Sequence, residues 1–361
     1  MSGAGPASDR RIAIVLFNLG GPDGPEAIKP FRVNLFSDPA IIRAPWFIRF
    51  WLARRIAAAA QQKAEQGYAL MGGKSPLLEL TRRQADALEA GLPGVKCFVA
   101  MRYWHPFARE AAEQVKAWKP ERILLLPLYP QFSTTTTGSS LADWHEAAAR
   151  AGLVAPTTTL CCWHDDAGYA ASIAALVAGT LATAHAERPG AKIRLLFSAH
   201  GLPENIVRAG DPYQDHVERS VAAVMAALGR SLGEAIDHQV CYQSRATPQR
   251  WIEPSTEQAL ARAAADGVVA VVVPIAFVSE HIETLVELDV DYREVAETLH
   301  LQGYYRVPAP NDDASFIAAL AGIARRALAQ GDGLCSHRGG RACDARHGDC
   351  PWTRYRAVNA A

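Results

Sequence analysis

The sequence lacks an excess of either charge, with 37 lysines and arginines against 37 aspartates and glutamates. A nucleic-acid binder needs a basic surplus to neutralise phosphates, so the balance argues against that class, though not against a local basic patch. The opening MSGAGPASDRR has no apolar stretch ahead of a cleavage site, so no signal peptide is expected. No apolar run reaches the roughly 18 residues that would cross a bilayer. No G-x-G-x-x-G follows the first apolar run, which leaves a dinucleotide site little support. These absences point to a cytoplasmic protein. Its seven cysteines should then be reduced, and disulfides are not expected.

What is present fits a globular chain, 49% hydrophobic and 20% charged. Its 361 residues suffice for about two domains. Short runs rich in branched aliphatics predict strands over 12–17, 97–101, 123–126, 193–197, 238–242 and 268–273, with helical stretches between them. That alternation predicts an α/β fold with mostly parallel strands. The six runs form two sets in matching order. NLGGP and SAHGLP follow the first run of each set, RYWHP and QSRATP the second, PLYPQFS and PIAFVSE the third. A duplicated α/β unit is expected, with a boundary near 165–190 and a helix over the alanine-rich 167–186. Ligands of open parallel sheets bind beyond the carboxyl ends of the strands. The segments there hold Asn18, Arg102, Tyr103, Tyr129, His200, Gln243 and 279–283.

His200 sits on a turn directly after an apolar strand, where imidazole can take a proton near neutral pH, bind a metal, or simply bond nearby backbone. A helix starting near Ser279 would put Glu280, Glu283 and Glu287 on one face, with Asp291 four residues further on. Such a row costs stability unless it binds a cation, relays protons or faces water; acids in a first turn also suit the helix dipole. His200 and Glu283 then bring imidazole and carboxylate to one sheet edge, a set suited to a divalent metal or to acid–base chemistry. The stretch 43–62 mixes Trp46, Phe47, Phe50 and Trp51 with Arg43, Arg49, Arg54 and Arg55. It reads as a membrane-touching surface, an apolar ligand's entrance, or a helix packed on the core by its aromatic face. Cys335, Cys343 and Cys350 share a glycine- and arginine-rich tail. Thiols so grouped in a reducing compartment suit a metal or cluster, yet C-x7-C-x6-C matches neither a common zinc motif nor a ferredoxin pattern. Zinc with His337 or His347, or idle thiols, are the alternatives.

The motifs FNLGGP (17–22), MGGKSPL (71–77), MRYWHP (101–106), PLYPQFSTTTTGS (127–139), FSAHGLP (197–203), DPY (211–213), CYQSR (241–245) with Trp251, and PIAFVSEHIETLVELDVDY (274–292) together resemble the ferrochelatases over most of 11–315. The resemblance implies α/β architecture with two similar doubly wound Rossmann-like domains, the chelatase fold, and a porphyrin cleft between them. The expected layout is a disordered N-terminus over 1–10, an N-terminal domain over 11–170 with an apolar lip over about 40–80, a C-terminal domain over 171–315, and a helix with a cysteine-rich tail over 316–361.

The resemblance also implies roles. His200 is the acceptor of pyrrole protons or an iron ligand and Glu283 its partner, the two roles being exchangeable. His200, Glu283, Glu287 and Asp291 form a path for iron. Leu19, Arg102, Tyr103, Trp251, Phe277 and His281 line the porphyrin cleft. A [2Fe–2S] cluster on Cys335, Cys343 and Cys350 is implied. The tail departs from the animal pattern in spacing and in having Thr134 at the animal fourth-cysteine position, so Cys162, or else Cys161, is the expected fourth ligand. The substrates are Fe²⁺ and protoporphyrin IX, with coproporphyrin III as alternative, in the last step of haem biosynthesis. A peripheral position on the inner membrane, as monomer or homodimer, completes the expectation. The rivals are a cobalt or nickel chelatase for an earlier tetrapyrrole, a non-catalytic tetrapyrrole or metal carrier, and a cluster-based sensor.

Overall fold

A computed structural model describes residues 11–233, 236–244 and 249–353; the stretch 1–10, Arg245 of CYQSR and the end of the tail lie outside them. All six predicted runs are strands: β1 (Ile12–Asn18), β2 (Val95–Met101), β3 (Arg122–Pro127), β5 (Ile193–His200), β6 (Asp237–Gln243) and β7 (Val269–Pro274). Three short strands escape the sequence pattern, namely β4 (Thr157–Leu160), β8 (Tyr304–Arg306) and β9 (Gly333–Cys335). TTTL, YYR and GLC are too brief or too polar to read as apolar runs.

The strands form two sheets with parallel pairing throughout, in the orders β2-β1-β3-β4-β9 and β6-β5-β7-β8. The first four strands of each set share one order, second-first-third-fourth, so the duplication is present in the topology. The second sheet's register places His200 opposite Gln243; Phe17 and Ser198 pair alike with the prolines that end β3 and β7, so the counterpart of His200 in the first sheet is Leu19.

Alternation along the strands sets the layers. Ile14 and Leu16 of β1, with Leu195 and Phe197 of β5, enter one large core shared by both sheets. Ala13, Val15 and Phe17 face a separate outer cluster, and Leu196 another. The shared core is filled by the helices Leu77–Ala90, Ala167–Glu187, Tyr213–Leu232 and Ala314–Ala329. Truncating one of these buried aliphatic or aromatic side chains costs about 2–5 kcal/mol in general.

Two expectations need revision. The helix Ala167–Glu187 is in fact long and apolar enough to cross a membrane, because alanine, valine and leucine fill it. Its residues Tyr169, Ile173, Val177, Leu181 and Ala184 are buried at spacings of three and four in the shared core. The chain after 315 is also no separate appendage. The helix Ala314–Ala329 packs on Leu77–Ala90 and on Ala167–Glu187, and β9 adds a fifth strand to the first sheet.

Candidate functional site

β5 ends on His200, whose Nδ1 lies 2.9 Å from Oε2 of Glu283. Facing a carboxylate, Nδ1 carries a proton, so the neutral ring turns its Nε2 lone pair outward. Nε2 has no hydrogen-bond partner among the described residues, and the side chain is 39% exposed. Desolvation pulls the imidazole's pKa down, but the charge and hydrogen bond of Glu283, with Glu287 behind, outweigh it and raise the pKa above its ordinary 6.5. Desolvation pushes Glu283 up in turn, yet His200 and then His281 hold it down at about 2. The pair therefore rests as imidazolium and carboxylate at low pH, and the ring gives up its proton as pH rises through its raised pKa.

Backbone geometry fixes His200. Gly201 is required by close approach, since a Cβ there would lie 2.9 Å from the Gln243 carbonyl and 3.2 Å from the Trp251 ring. Trp251 is held beside the turn by pairing with Pro203. Phe277 and His281 meet with ring centroids 4.7 Å apart and planes tilted by 52°, Phe277 half-buried. His281 lies 3.9 Å from Glu283, and burial lowers its pKa despite that carboxylate.

The acidic segment differs from the prediction. The helix begins at Glu283, not Ser279, and Glu283–Asp291 is a π-helix that runs on into the α-helix Tyr292–Thr298. Such wide turns are rare and occur frequently at functional sites. Glu280 leaves the acidic row because its carboxylate turns inward to Arg306, at 2.7 Å, and to the Ala309 amide, at 2.9 Å. Arg306 also grips Asp289 with two nitrogens, both at 2.7 Å, which pins the π-helix to β8. The row that remains is Glu283, Glu287 and Asp291.

Glu287 accepts hydrogen bonds from Gln243 Nε2 (3.1 Å), the Ser244 amide (2.9 Å) and the Ser244 hydroxyl. Gln243 also donates to the Glu283 carbonyl and is itself oriented by Ser198. Burial, then the charge of Glu283, raises the Glu287 pKa. Gln243 was recognisable by position and Ser244 was not; their task of fixing the second acid has no local signature.

The lip comprises the helices Trp46–Ala59 and Gln61–Leu70. Of the first, only Ala53 and Ala57 are buried; Trp46 is 73% exposed and Phe47, Ile48, Phe50 and Trp51 lie open. The aromatics therefore face outward, with Arg54 over Phe50 and Arg55 over Trp51. The second helix closes on the acidic segment at Gly67, where a Cβ would meet Ile282 at 3.2 Å. Burial, then the nearby Glu283 charge, pushes the Tyr68 phenol above its ordinary range. Lys63 lies 4.0 Å from Asp291, so the acidic row runs along the lip to its solvent edge.

The matching end of the first sheet is closed on itself. Asn18 bonds Thr81 and the Leu19 amide, while Leu19 is half-buried and takes the Tyr103 amide on its carbonyl. Buried Asp38 receives the Tyr103 hydroxyl (2.7 Å), the Ser139 hydroxyl and Arg102 (3.1 Å). Tyr103 is 1% exposed, so it lies beneath the surface instead of on a cleft wall, its hydroxyl committed to Asp38. Arg102 keeps one-fifth of its side chain exposed.

The cysteines meet at a second centre. β4 leads into Cys161 and Cys162, and β9 ends on Cys335, paired with Leu160; the Cys161 amide donates to the Cys335 carbonyl at 2.8 Å. The tail then brings Cys343 to 3.3 Å from His216 Nε2, with Cys350 beside it. All five are buried and none is in a disulfide. The Cys161 and Cys162 sulfurs lie 3.6 Å apart. Burial, then Cys161, pushes Cys335 up to about 12, so a metal must displace its proton. Cys343 goes the other way, its thiolate favoured by hydrogen bonds from Cys162 and Cys350 and then by His216. Thr134 is bonded to Asp211, its amide and hydroxyl both at 2.7 Å.

Two linked parallel sheets, with a ringed imidazole–carboxylate pair at one sheet's carboxyl edge, define a chelatase-type α/β protein. Two solved structures share the fold: SirB from Bacillus subtilis with Fe³⁺, TM-score 0.52, and the sirohydrochlorin chelatase SirB from Bacillus subtilis subspecies spizizenii with cobalt, TM-score 0.50. Each is 12% identical, over 89% of this chain and 96% of its own, which speaks to fold alone.

The sequence relatives are more specific. The family model Ferrochelatase matches residues 11–328. The ferrochelatase of Caulobacter vibrioides is 48% identical over 350 residues, covering 95% of this chain and 97% of its own. That of Phenylobacterium zucineum is 48% identical over 348 residues (94% and 97%), and that of Thermosynechococcus vestitus 43% over 330 (88% and 83%). The chain belongs to the ferrochelatase family, enzymes that insert iron into a porphyrin in haem synthesis.

Proposed function

We propose that the chain inserts Fe²⁺ into protoporphyrin IX, with His200 taking the pyrrole protons and Glu283 stabilising the imidazolium that results. The observation that carries this is the Nδ1–Glu283 bond at the end of β5, which leaves Nε2 open to a ligand. The free macrocycle carries two N–H protons that must leave as the ion enters. A base within hydrogen-bond reach of those protons supplies typically 10²–10⁴-fold. Glu287 and Asp291 extend the charge of Glu283 along the lip. That continuity supports a path for hydrated Fe²⁺ in or protons out. Leu19, Trp251, Phe277 and His281 are assigned to the macrocycle's walls, and Arg102 to the rim of the first sheet. Distortion of a flat ring against such walls would expose its nitrogen lone pairs.

The exposed Trp46–Trp51 surface supports peripheral attachment at the cytoplasmic side of the inner membrane. It also favours the less soluble protoporphyrin IX over coproporphyrin III. Five buried thiols in one pocket exceed the four that a [2Fe–2S] cluster needs. We assign Cys335, Cys343 and Cys350 as its ligands, with the fourth from the Cys161–Cys162 pair. Such a group would supply one-electron chemistry or a structural tie; the proton-transfer steps proposed for His200 do not pass through it. Anaerobic incubation with Fe²⁺ and each porphyrin in turn tests the reading. Protoporphyrin IX fluorescence should disappear as haem forms. Turnover of coproporphyrin III alone would overturn the substrate assignment, and turnover of neither would overturn the function.

A further inference from the structure

The pocket around the cysteines holds more metal-binding groups than a four-thiolate cluster uses. The ligand atoms of Cys162, His164 and His337 all lie within 4.8 Å of one another. His164 is fully buried, and neither ring nitrogen has a hydrogen-bond partner among the described residues. A buried polar group left without a partner loses its hydration with nothing in return, which calls for a ligand.

The neighbours cannot supply it. His216 stacks on His164 at 3.6 Å, but its Nδ1 accepts the Phe132 amide at 3.1 Å, so its proton sits on Nε2 and points at Cys343. His337 faces the Cys162 carbonyl with Nδ1 at 3.3 Å and pairs through Nε2 with Asp165 Oδ1, and a bound ion would displace the proton held between those two atoms. Oδ1 also lies 3.7 Å from His164 Nε2. Asp165 Oδ2 is held by Arg219 at 2.7 Å and by Arg338, which fixes Oδ1 toward the two imidazoles. A plain imidazolium–carboxylate pair explains His337 and leaves His164 unexplained.

We propose a second metal site, in which a single divalent ion is held by Cys162 Sγ, His164 and His337 Nε2, with Asp165 Oδ1 as the fourth ligand. One thiolate, two imidazoles and a carboxylate suit zinc, with bonds of about 2.0–2.3 Å, so the ligand atoms close by roughly 1 Å on binding. Four protein ligands leave no open position, which marks a structural ion. It ties the turn after β4 to the tail after β9. It also assigns Cys161, beside Cys335 in the sheet, as the internal ligand of the cluster. The site stands on its own residues and survives failure of the cluster reading.

The test is metal content and visible absorption of the full chain, purified anaerobically, for the wild type and for single variants. His164→Ala and Cys162→Ser should each lose one zinc per chain and keep the cluster absorption. Cys161→Ser should do the reverse, and His216→Gln should keep the zinc. The wild type reloaded with Co²⁺ should show a thiolate-to-cobalt charge-transfer band, which the sulfur-free His200 site cannot give, and His164→Ala should lack it. A wild type that binds no zinc and gives no such band overturns the site. So does zinc retained in His164→Ala, or loss of the cluster absorption in place of zinc.

Discussion

The carboxyl edges of the two sheets start from one plan and end in opposite states. In the first half, the polar groups after β1 and β2 pair among themselves. Asn18 takes Thr81 and the Leu19 amide, and Asp38 gathers Tyr103, Ser139 and Arg102. In the second half, the strand runs one residue further, to His200 at the place of Leu19, bonded on one nitrogen and open on the other. The difference teaches how a duplicated scaffold divides its work. A closed hydrogen-bond network stabilises and anchors the lip, whose chain after Asp38 folds back on the Asp38 carbonyl. A half-satisfied site, braced by Arg306, Gln243 and Ser244, is kept for chemistry.

Substituting the last residue of β1 and of β5 tests that division. His200→Ala should lower kcat for iron insertion by about 10²–10⁴-fold, while Asn18→Ala should leave it within a few-fold. Equal losses would erase the contrast. Asp38→Ala should act on stability instead. It strands Arg102 among its former partners, and about 3–5 kcal/mol should be lost in urea denaturation, the range for breaking a buried pair. Full stability would mean that the network contributes nothing. A smaller effect is expected at the seam between the halves. Gly67→Val should push the lip helix off Ile282 and raise KM for the porphyrin several-fold with kcat little changed. An unchanged KM would detach the lip from porphyrin binding.

The parts legible in the sequence were those with a local cause. Long branched-aliphatic runs marked six strands, and their paired order revealed the duplication. His200 and Glu283 were recognisable from their segments, and the structure brings them to 2.9 Å. What stayed hidden depends on partners distant in the chain. Glu280 has the same spacing signal as Glu283, but Arg306, 26 residues on, draws it out of the row. Tyr103 follows a strand end, as a cleft residue should, yet Asp38 buries its hydroxyl. β9 has three residues and no apolar run, so nothing local shows that the tail joins the first sheet and sets Cys335 beside Cys161. His164 and His216, which crowd the thiols, are unremarkable in sequence and become informative only through burial and stacking.

The central claim is that a neutral imidazole, made more basic by Glu283, takes the protons. The pH dependence of kcat/KM, which reports the free enzyme's essential groups, tests it most directly. Burial opposes protonation of His200, and the charge and hydrogen bond of Glu283, assisted by Glu287, outweigh it and raise the pKa above 6.5. The base must be unprotonated to act, so activity should rise with pH through a limb lying above 6.5 in the wild type. In Glu283→Gln the carboxylate's charge is gone and the desolvation remains, so that limb should move to lower pH. A limb at the same pH in both proteins would contradict the account.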